Sequence, residues 1–547
     1  MSKKEPESAK DAEKASEIGE TVADKIAKDI KQTSVAEFFE RNRHLLGFDS
    51  KIKAMITCIK ETVDNSIDAC EEMIFLNKEK KLDYSLPEVT VKIKSLGDDR
   101  FTISVMDNGP GIVKAELPQV FTRLLYGSKF NKIKQGRGQQ GIGVSAAVLY
   151  SQLTTGKATH VVSKIGADKP AYYYDLRINT VENKPEIVGS GVIEKFKYDH
   201  GTEVEMEIAG TYLSKGDKSP YEYLRRTSIV NPHVRIVLIT PENKKITFPR
   251  LTENLPSPTK AIQPHPYGVE VGLLIKMAQF TKTRTMQSFL TDEFSRIGPK
   301  TAKDILDAAK VDPRYKPTEI TREQANKIVD IMQKTKFMSP PLDCLSSIGN
   351  EALKKSLKSE FDAEFVTTVS RSPSVYRGMP FLVEAALAYG GSLPAEEQVK
   401  VIRYGNKVPL LYDAGACAIT SIVSGIDWRR YGLTQTGGRG APTGPVMIVV
   451  HMASTWMPYT SESKSAIAHY DPIMKEMKLA LLDCARNLRI YLSRKHKAQR
   501  QKERISTFVR YANKLVDGIV MLTDKQKDDV NKVINGFISK KYGGGGQ

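Results

Sequence analysis

The stretch 107–145 restricts the possible folds more than any other part of the chain. FTISVM alternates like a β-strand and runs into Asp107. Gly109 and Gly111 follow in DNGPGI, where a strand must turn sharply and let another group approach its backbone. After a helical spacer comes GRGQQGIGVSAAVLY, in which Gly136, Gly138, Gly141 and Gly143 lead into an apolar helical pattern at 144–149. Glycines that open a helix leave converging N–H groups bare, and the helix dipole favours negative charge there. The two clusters read as one nucleotide pocket in two parts, one for the base and one for the phosphates.

Upstream, residues 51–76 predict an amphipathic helix. Glu61, Asn65 and Asp68 in ETVDNSIDAC share one face, and Ile56, Ile59, Val63 and Ile67 lie on another. A solvated polar face explains these residues. So does a glutamate that orients and deprotonates water beside an asparagine whose amide oxygen holds Mg2+, a hard cation that keeps several waters. Order along the chain favours the second reading: a helix with Glu and Asn, a strand ending in Asp-x-Gly-x-Gly, then the glycine-rich loop.

At 547 residues the chain is too long for one core and predicts about three domains. Lys and Arg exceed Asp and Glu by 82 − 64 = 18, which favours a polyanionic partner. Cys58, Cys70, Cys344, Cys417 and Cys484 stand far apart with no CxxC, as reduced, buried thiols do. No apolar run reaches membrane-spanning length and no signal peptide opens the chain, so a soluble intracellular protein is expected.

Residues 1–33 read as a charged, solvated tail. Residues 34–49, with Phe38 and Phe39, read as a surface helix packing on its own domain or as a strap that embraces a second copy. From 150 to 250 the pattern is alternating strands, which with the earlier helices gives a mixed sheet with helices on one face. The Pro-rich segment 252–270 marks a boundary, and its His265 is expected to be structural. Residues 271–340 are helical. There Ile297, Gly298 and Pro299, with Lys300 and Lys303 behind them, fit either a structural module or a hairpin meeting DNA phosphates through a helix N-terminus. GGRGAPTG within 413–443 reads as a loop, because the strand PVMIVVHMAS follows it and no helix does. A long helix is expected over 463–515, its apolar stripe fading into RKHKAQRQKER, and the chain end KKYGGGGQ is expected to be disordered.

Together these motifs resemble the GHKL ATPase superfamily. ETVDNSIDAC is similar to its first box, DNGPGI to its second, GRGQQGIGVSAA to its third and HGTEVEME to its fourth. The resemblance implies an α+β chain with a GHKL (Bergerat) α/β sandwich, binding ATP with Mg2+. It implies Glu61 as general base, Asn65 as the Mg2+ ligand and Asp107 as acceptor for the adenine amino group. Gly109 and Gly111 would line the base pocket, and Ser128 and Lys129 would lie in a lid. Arg137, Gly138, Gln139, Gln140, Gly141, Ile142, Gly143, Val144 and Ser145 would wrap the phosphates, with Thr202 on the adenine side.

Within the superfamily the chain most resembles the B subunits of type IIB DNA topoisomerases, over roughly 34–500. The helical stretch stands where those proteins carry a helix-two-turns-helix insert, and PPLDCLSSIGNEAL through RYGNKVPLLYD resembles their α/β transducer domain, which ends in a long helix. The resemblance implies a tail at 1–33, an ATPase domain with strap at 34–252, the insert at 253–343, a transducer at 344–515 and a tail at 516–547. It makes Lys407 a switch lysine reaching the ATP γ-phosphate. It implies duplex DNA, the DNA-cleaving A subunit of topoisomerase VI and a second copy as partners in a heterotetramer. The setting would be the archaeal cytoplasm at the nucleoid, or a eukaryotic nucleus. A MutL-like repair clamp or a chaperone would share the ATPase boxes without the insert. Ser145 departs from the family, which often has Lys there, and the 415–443 loop is longer than expected.

Overall fold

The computed structural model describes Glu37, Phe39 and residues 41–127, 132–138, 141–523 and 525–542. Helix α1 (Lys51–Glu79) starts where the Ser50 hydroxyl accepts the Lys53 N–H, a side-chain N-cap. Its Ile56, Ile59, Val63 and Ile67 are fully buried. Each contributes about 2 kcal/mol of burial, so the stripe decides which face of α1 is left for Glu61 and Asn65.

The stripe packs on an eight-stranded sheet. Its strands are β1 (Glu88–Gly97), β2 (Arg100–Asp107), β3 (Thr159–Lys164), β4 (Ala171–Asn179), β5 (Lys184–Ile193), β6 (Gly201–Ala209), β7 (Arg235–Ile239) and β8 (Lys245–Phe248), in the order β5-β4-β3-β6-β2-β1-β7-β8. β1 and β7 run parallel and the other neighbours antiparallel. Val89, Val91 and Ile93 alternate inward while Lys92, Lys94 and Glu205 face solvent. Helices α2 (Leu117–Thr122), α3 (Gly143–Thr155) and α4 (Pro220–Val230) complete this layer. Ahead of α1, Phe39 and Phe48 are buried, and Phe48 stacks on Tyr150 of α3 at 4.9 Å. The described part of 34–49 therefore packs on its own domain. Phe38 and the tail 1–33 lie outside the described residues.

The helical module comprises α5 (Val271–Phe280), α6 (Met286–Glu293), α7 (Pro299–Ala309) and α8 (Arg322–Lys334) around Phe289, Leu290, Phe294, Leu306 and Ile328. Pro299 opens α7, where its missing N–H costs nothing, and Thr321 with Gln324 forms a capping box on α8. His265 is structural: its Nε2 bonds the Met338 carbonyl at 3.0 Å and its ring packs on Tyr267 and Phe337.

After α9 (Asn350–Phe361) a second sheet forms from β9 (Phe365–Ser370), β10 (Ser374–Tyr376), β11 (Met379–Tyr389), β12 (Lys400–Gly405), β13 (Val408–Pro409) and β14 (Val446–Ser454). Its central pair, β11 and β14, is buried throughout. Helix α9 covers one face, while α10 (Ala418–Gly425) and α11 (Asp471–Leu522) cover the other, which accounts for the unbroken apolar run MIVV. Part of the stretch read as loop, 418–425, is thus helical; GGRGAPTG itself is not. All five cysteines are free and buried. Helix α11 continues past 515 to Leu522, and α12 (Lys527–Tyr542) packs back on it with Lys527 bonded to Asp517 at 2.7 Å. Residues 516–522 and 527–542 are therefore helical where a tail was expected, their buried Val516 and Val530 being too sparse to give a strong pattern. No helix among the described residues is long and apolar enough to cross a membrane.

Candidate functional site

A cavity of about 320 Å³ opens between α1, the end of β2 and the start of α3. Glu61, Asn65, Asp107, Gly111, Gly138, Gly141, Ile142, Gly143, Val144, Ser145 and Thr202 all line it. Asp107 ends β2 and is buried. Its Oδ2 accepts the Ser66 hydroxyl at 2.7 Å, and its Oδ1 accepts the N–H of Gly109 at 2.9 Å and of Thr202 at 3.2 Å. Burial pushes its carboxyl up, and these donors partly offset that. Gly109 therefore holds Asp107 rather than lining the cavity. Two glycines beside Asp107 and β3 are sterically required. A Cβ on Gly201 would overlap the Asp107 carbonyl, and one on Gly111, at φ +71°, would overlap the Lys164 carbonyl.

At the opposite end Glu61 is buried one turn before Asn65, which is exposed to the cavity. Gly143 begins α3 directly against Glu61, so closely that a Cβ there would overlap the carboxylate. The free N–H groups of that helix end and the carboxylate thus border the same space. Among the described residues no group of three or more His, Cys, Asp or Glu stands together as a metal site. One Asn oxygen beside an anion cradle fits a hard cation shared with phosphate oxygens.

The cation at Glu61 comes from the second sheet's domain. Lys464 Nζ lies 3.3 and 3.2 Å from the two carboxylate oxygens, and Lys60 Nζ lies 3.5 Å away. Burial alone would raise the Glu61 carboxyl; Lys464 first and Lys60 second bring it below the ordinary value. Lys464 sits at φ +53° in the turn after β14, whose Ser463 N–H donates to the Leu45 carbonyl and whose Ser463 carbonyl accepts Lys60 Nζ at 2.8 Å. Asp64, behind Glu61, is held by the Tyr223 hydroxyl at 3.0 Å, and burial pushes it up to about 6.

Two sequence-based assignments are corrected here. Lys407 does not reach this cavity. It lies in the β12–β13 turn, where its Nζ donates to Ser346 Oγ at 2.9 Å and it lines a separate cavity of about 520 Å³. Burial lowers its ammonium to about 8. Arg137 points away from the phosphate side into a buried cluster, bonding Asp68 at 2.7 Å, both oxygens of Glu71 at 2.7 and 3.0 Å and Asn231 at 2.5 Å. His233 completes the cluster on Glu71 at 2.8 Å. Asp68 is thereby drawn off the Glu61 face, because the glycine-rich loop crosses α1 at that turn. Arg137→Ala leaves two largely buried carboxylates short of a cation and is expected to destabilise the fold by about 3–5 kcal/mol. Denaturant unfolding checks this. Ser128, Lys129, Gln139 and Gln140 lie outside the described residues.

The sequence reading missed Lys464. Its signal is a serine-rich turn, SESKS, beyond a strand, whereas the family resemblance gives the switch role to the lysine of RYGNKVP. Ser66 and Tyr126, which also lie at the cavity, carried no distinguishing pattern.

Residues 340–504 match the family described as Topoisomerase VI B subunit, transducer, and residues 50–208 match Histidine kinase-, DNA gyrase B-, and HSP90-like ATPase. The chain is 47% identical to the B subunit of type 2 DNA topoisomerase 6 from Methanococcoides burtonii over 517 residues, covering 94% of this chain and 80% of that one. It is 47% identical to the protein of the same name from Archaeoglobus fulgidus (85% and 75%) and 35% identical to that from Pyrococcus abyssi (94% and 96%).

Proposed function

The chain belongs to the family of type 2 DNA topoisomerase 6 B subunits, and from that premise we propose how its ATPase site drives DNA strand passage. It is the ATP-binding component of an ATP-dependent type II topoisomerase. In our reading, ATP draws the ATPase domains of two copies together around one DNA duplex, while a DNA-cleaving A subunit opens another, so that DNA is relaxed or decatenated. In the same reading the protein acts at nucleoid DNA.

Asp107 accepts a hydrogen bond from the adenine amino group, a donor that guanine lacks at that position. The N–H groups opening α3 receive the phosphates. Glu61 takes the proton of the attacking water as the new P–O bond forms and the bond to the β-phosphate oxygen breaks, giving ADP and phosphate. Asn65 would hold Mg2+, which when bound neutralises phosphate charge. Lys464 would act as the switch lysine in place of Lys407. An anion arriving at α3 competes with Glu61 for this ammonium, which makes the position of the second domain depend on the nucleotide. The observation that carries the reading is that contact: a cation from one domain seated on the candidate base of the other.

ATPase activity and DNA relaxation, each measured with and without duplex DNA and an A subunit, test the proposal. Stimulation by DNA that requires the A subunit, together with relaxation, supports it; ATPase indifferent to both rejects the strand-passage reading. Lys300 and Lys303 are exposed on α7. If that helix meets phosphates, replacing both with Ala flattens the log–log salt dependence of duplex binding by about 2. Titration at several salt concentrations checks this, and an unchanged slope removes α7 from the DNA path.

A further inference from the structure

The start of the glycine-rich loop is tied to the transducer by contacts other than that of Lys464. Gln135 and Ser346 pair reciprocally: Gln135 Nε2 donates to the Ser346 carbonyl at 3.1 Å, and the Ser346 N–H donates to Gln135 Oε1 at 2.7 Å. The Gln135 N–H donates to the Cys344 carbonyl at 3.1 Å. One residue on, the Gly136 carbonyl accepts Asn406 Nδ2 at 3.1 Å. The Gln135, Ser346 and Asn406 side chains are buried and border the same cavity as Lys407.

From Ser346 the bonds continue in a closed ring. Lys407 Nζ donates to Ser346 Oγ, and the Lys407 N–H donates to His451 Nε2 at 3.0 Å. That nitrogen must be an acceptor, so the imidazole is neutral and its Nδ1–H donates to Glu384 at 2.9 Å. Glu384 in turn accepts the N–H groups of Ile348 at 2.8 Å and Gly349 at 2.9 Å, returning to the segment that holds Gln135. His451 and Glu384 face each other across β14 and β11, the buried centre of the second sheet. Asn406 joins the same sheet, exchanging bonds with Ser454 at 3.0 and 2.8 Å. Asn406 and Lys407 both adopt left-handed backbone, at φ +50° and +65°, a conformation the ring holds in place.

We propose that Gln135 and Asn406 are positioning residues that transmit the conformation of the glycine-rich loop to the centre of the transducer, as a joint separate from Lys464. This rests on the nucleotide reading of the site. A loop that reorders around phosphates pulls on its own first residues, and here those residues are bonded to β12, β14 and the 344–349 segment rather than free in solvent.

Hydrogen exchange of the full chain, with and without a non-hydrolysable ATP analogue and Mg2+, tests the joint. In the unsubstituted protein the analogue is expected to slow exchange at 141–146 and also at 346–349 and 404–407. In Gln135→Ala the slowing at 141–146 persists and the response at 346–349 and 404–407 is lost. With an A subunit present, ATP consumed per DNA link relaxed then rises by about fivefold or more. Asn406→Ser, which leaves Gln135 in place, is expected to behave alike and serves if Gln135→Ala does not fold. A full transducer response in either folded variant overturns the joint and leaves the nucleotide site standing. No slowing at 141–146 in the unsubstituted protein overturns both.

Discussion

Glu61→Gln is expected to lower the ATP turnover number by about 10²–10⁴-fold, the range for loss of a general base, while ATP is still bound. The amide keeps the volume and can still accept from Lys464, whose ammonium lies 3.2 Å from the present carboxylate. It cannot take a proton from water. Gly143 supports this specificity, since its missing Cβ is what lets the carboxylate lie against the end of α3. Phosphate release measured beside equilibrium binding of a non-hydrolysable analogue separates the two effects. Turnover within a few-fold of the unsubstituted protein would show that another group takes the proton.

Lys464→Met is expected to move the acid limb of the ATPase pH profile to higher pH and to impair relaxation more than ATP binding. Burial raises the Glu61 carboxyl, and Lys464 is the larger of the two cations that bring it below its ordinary value. Removing Lys464 leaves Lys60 alone against burial, so the carboxyl rises. A base works above its own pKa, and therefore activity is lost earlier as pH falls. Lys407→Met supplies the contrast. That ammonium lines the other cavity, bonded to Ser346, and its removal leaves the acid limb where it was. Profiles of the two variants run in parallel decide between the lysines: a shift with Lys407→Met and none with Lys464→Met would restore the sequence-based assignment.

Much of the site was legible because its constraints are local. Helical spacing put Glu61 and Asn65 on one face, and the strand before Asp107 and the glycines before α3 followed from backbone sterics alone. Lys464 and Lys407 show where legibility stopped. Both are lysines in turns of the second sheet's domain, both are buried and both have positive φ. Only the packing of one domain on another determines which of them meets Glu61. Arg137 failed for a related reason. It stands inside the glycine motif, but its partners Glu71, on α1, and Asn231, at the end of α4, come from two other segments that spacing does not bring together. Asp68 shared a helix face with Asn65, yet a crossing loop divided that face.

Helix α11 runs unbroken for 52 residues, and its continuous burial ends at Leu492. The remaining thirty or so residues extend about 45 Å at 1.5 Å per residue. Rooted in the transducer, such a rod is a lever. A tilt of about 10° at its base carries the far end about 8 Å, over a length set by the helical rise. In the proposed mechanism, a displacement of one side chain's reach at Lys464 or Gln135 that tilts the rod's base would be converted into travel comparable to half the width of a DNA duplex, with no part of the rod itself having to bend.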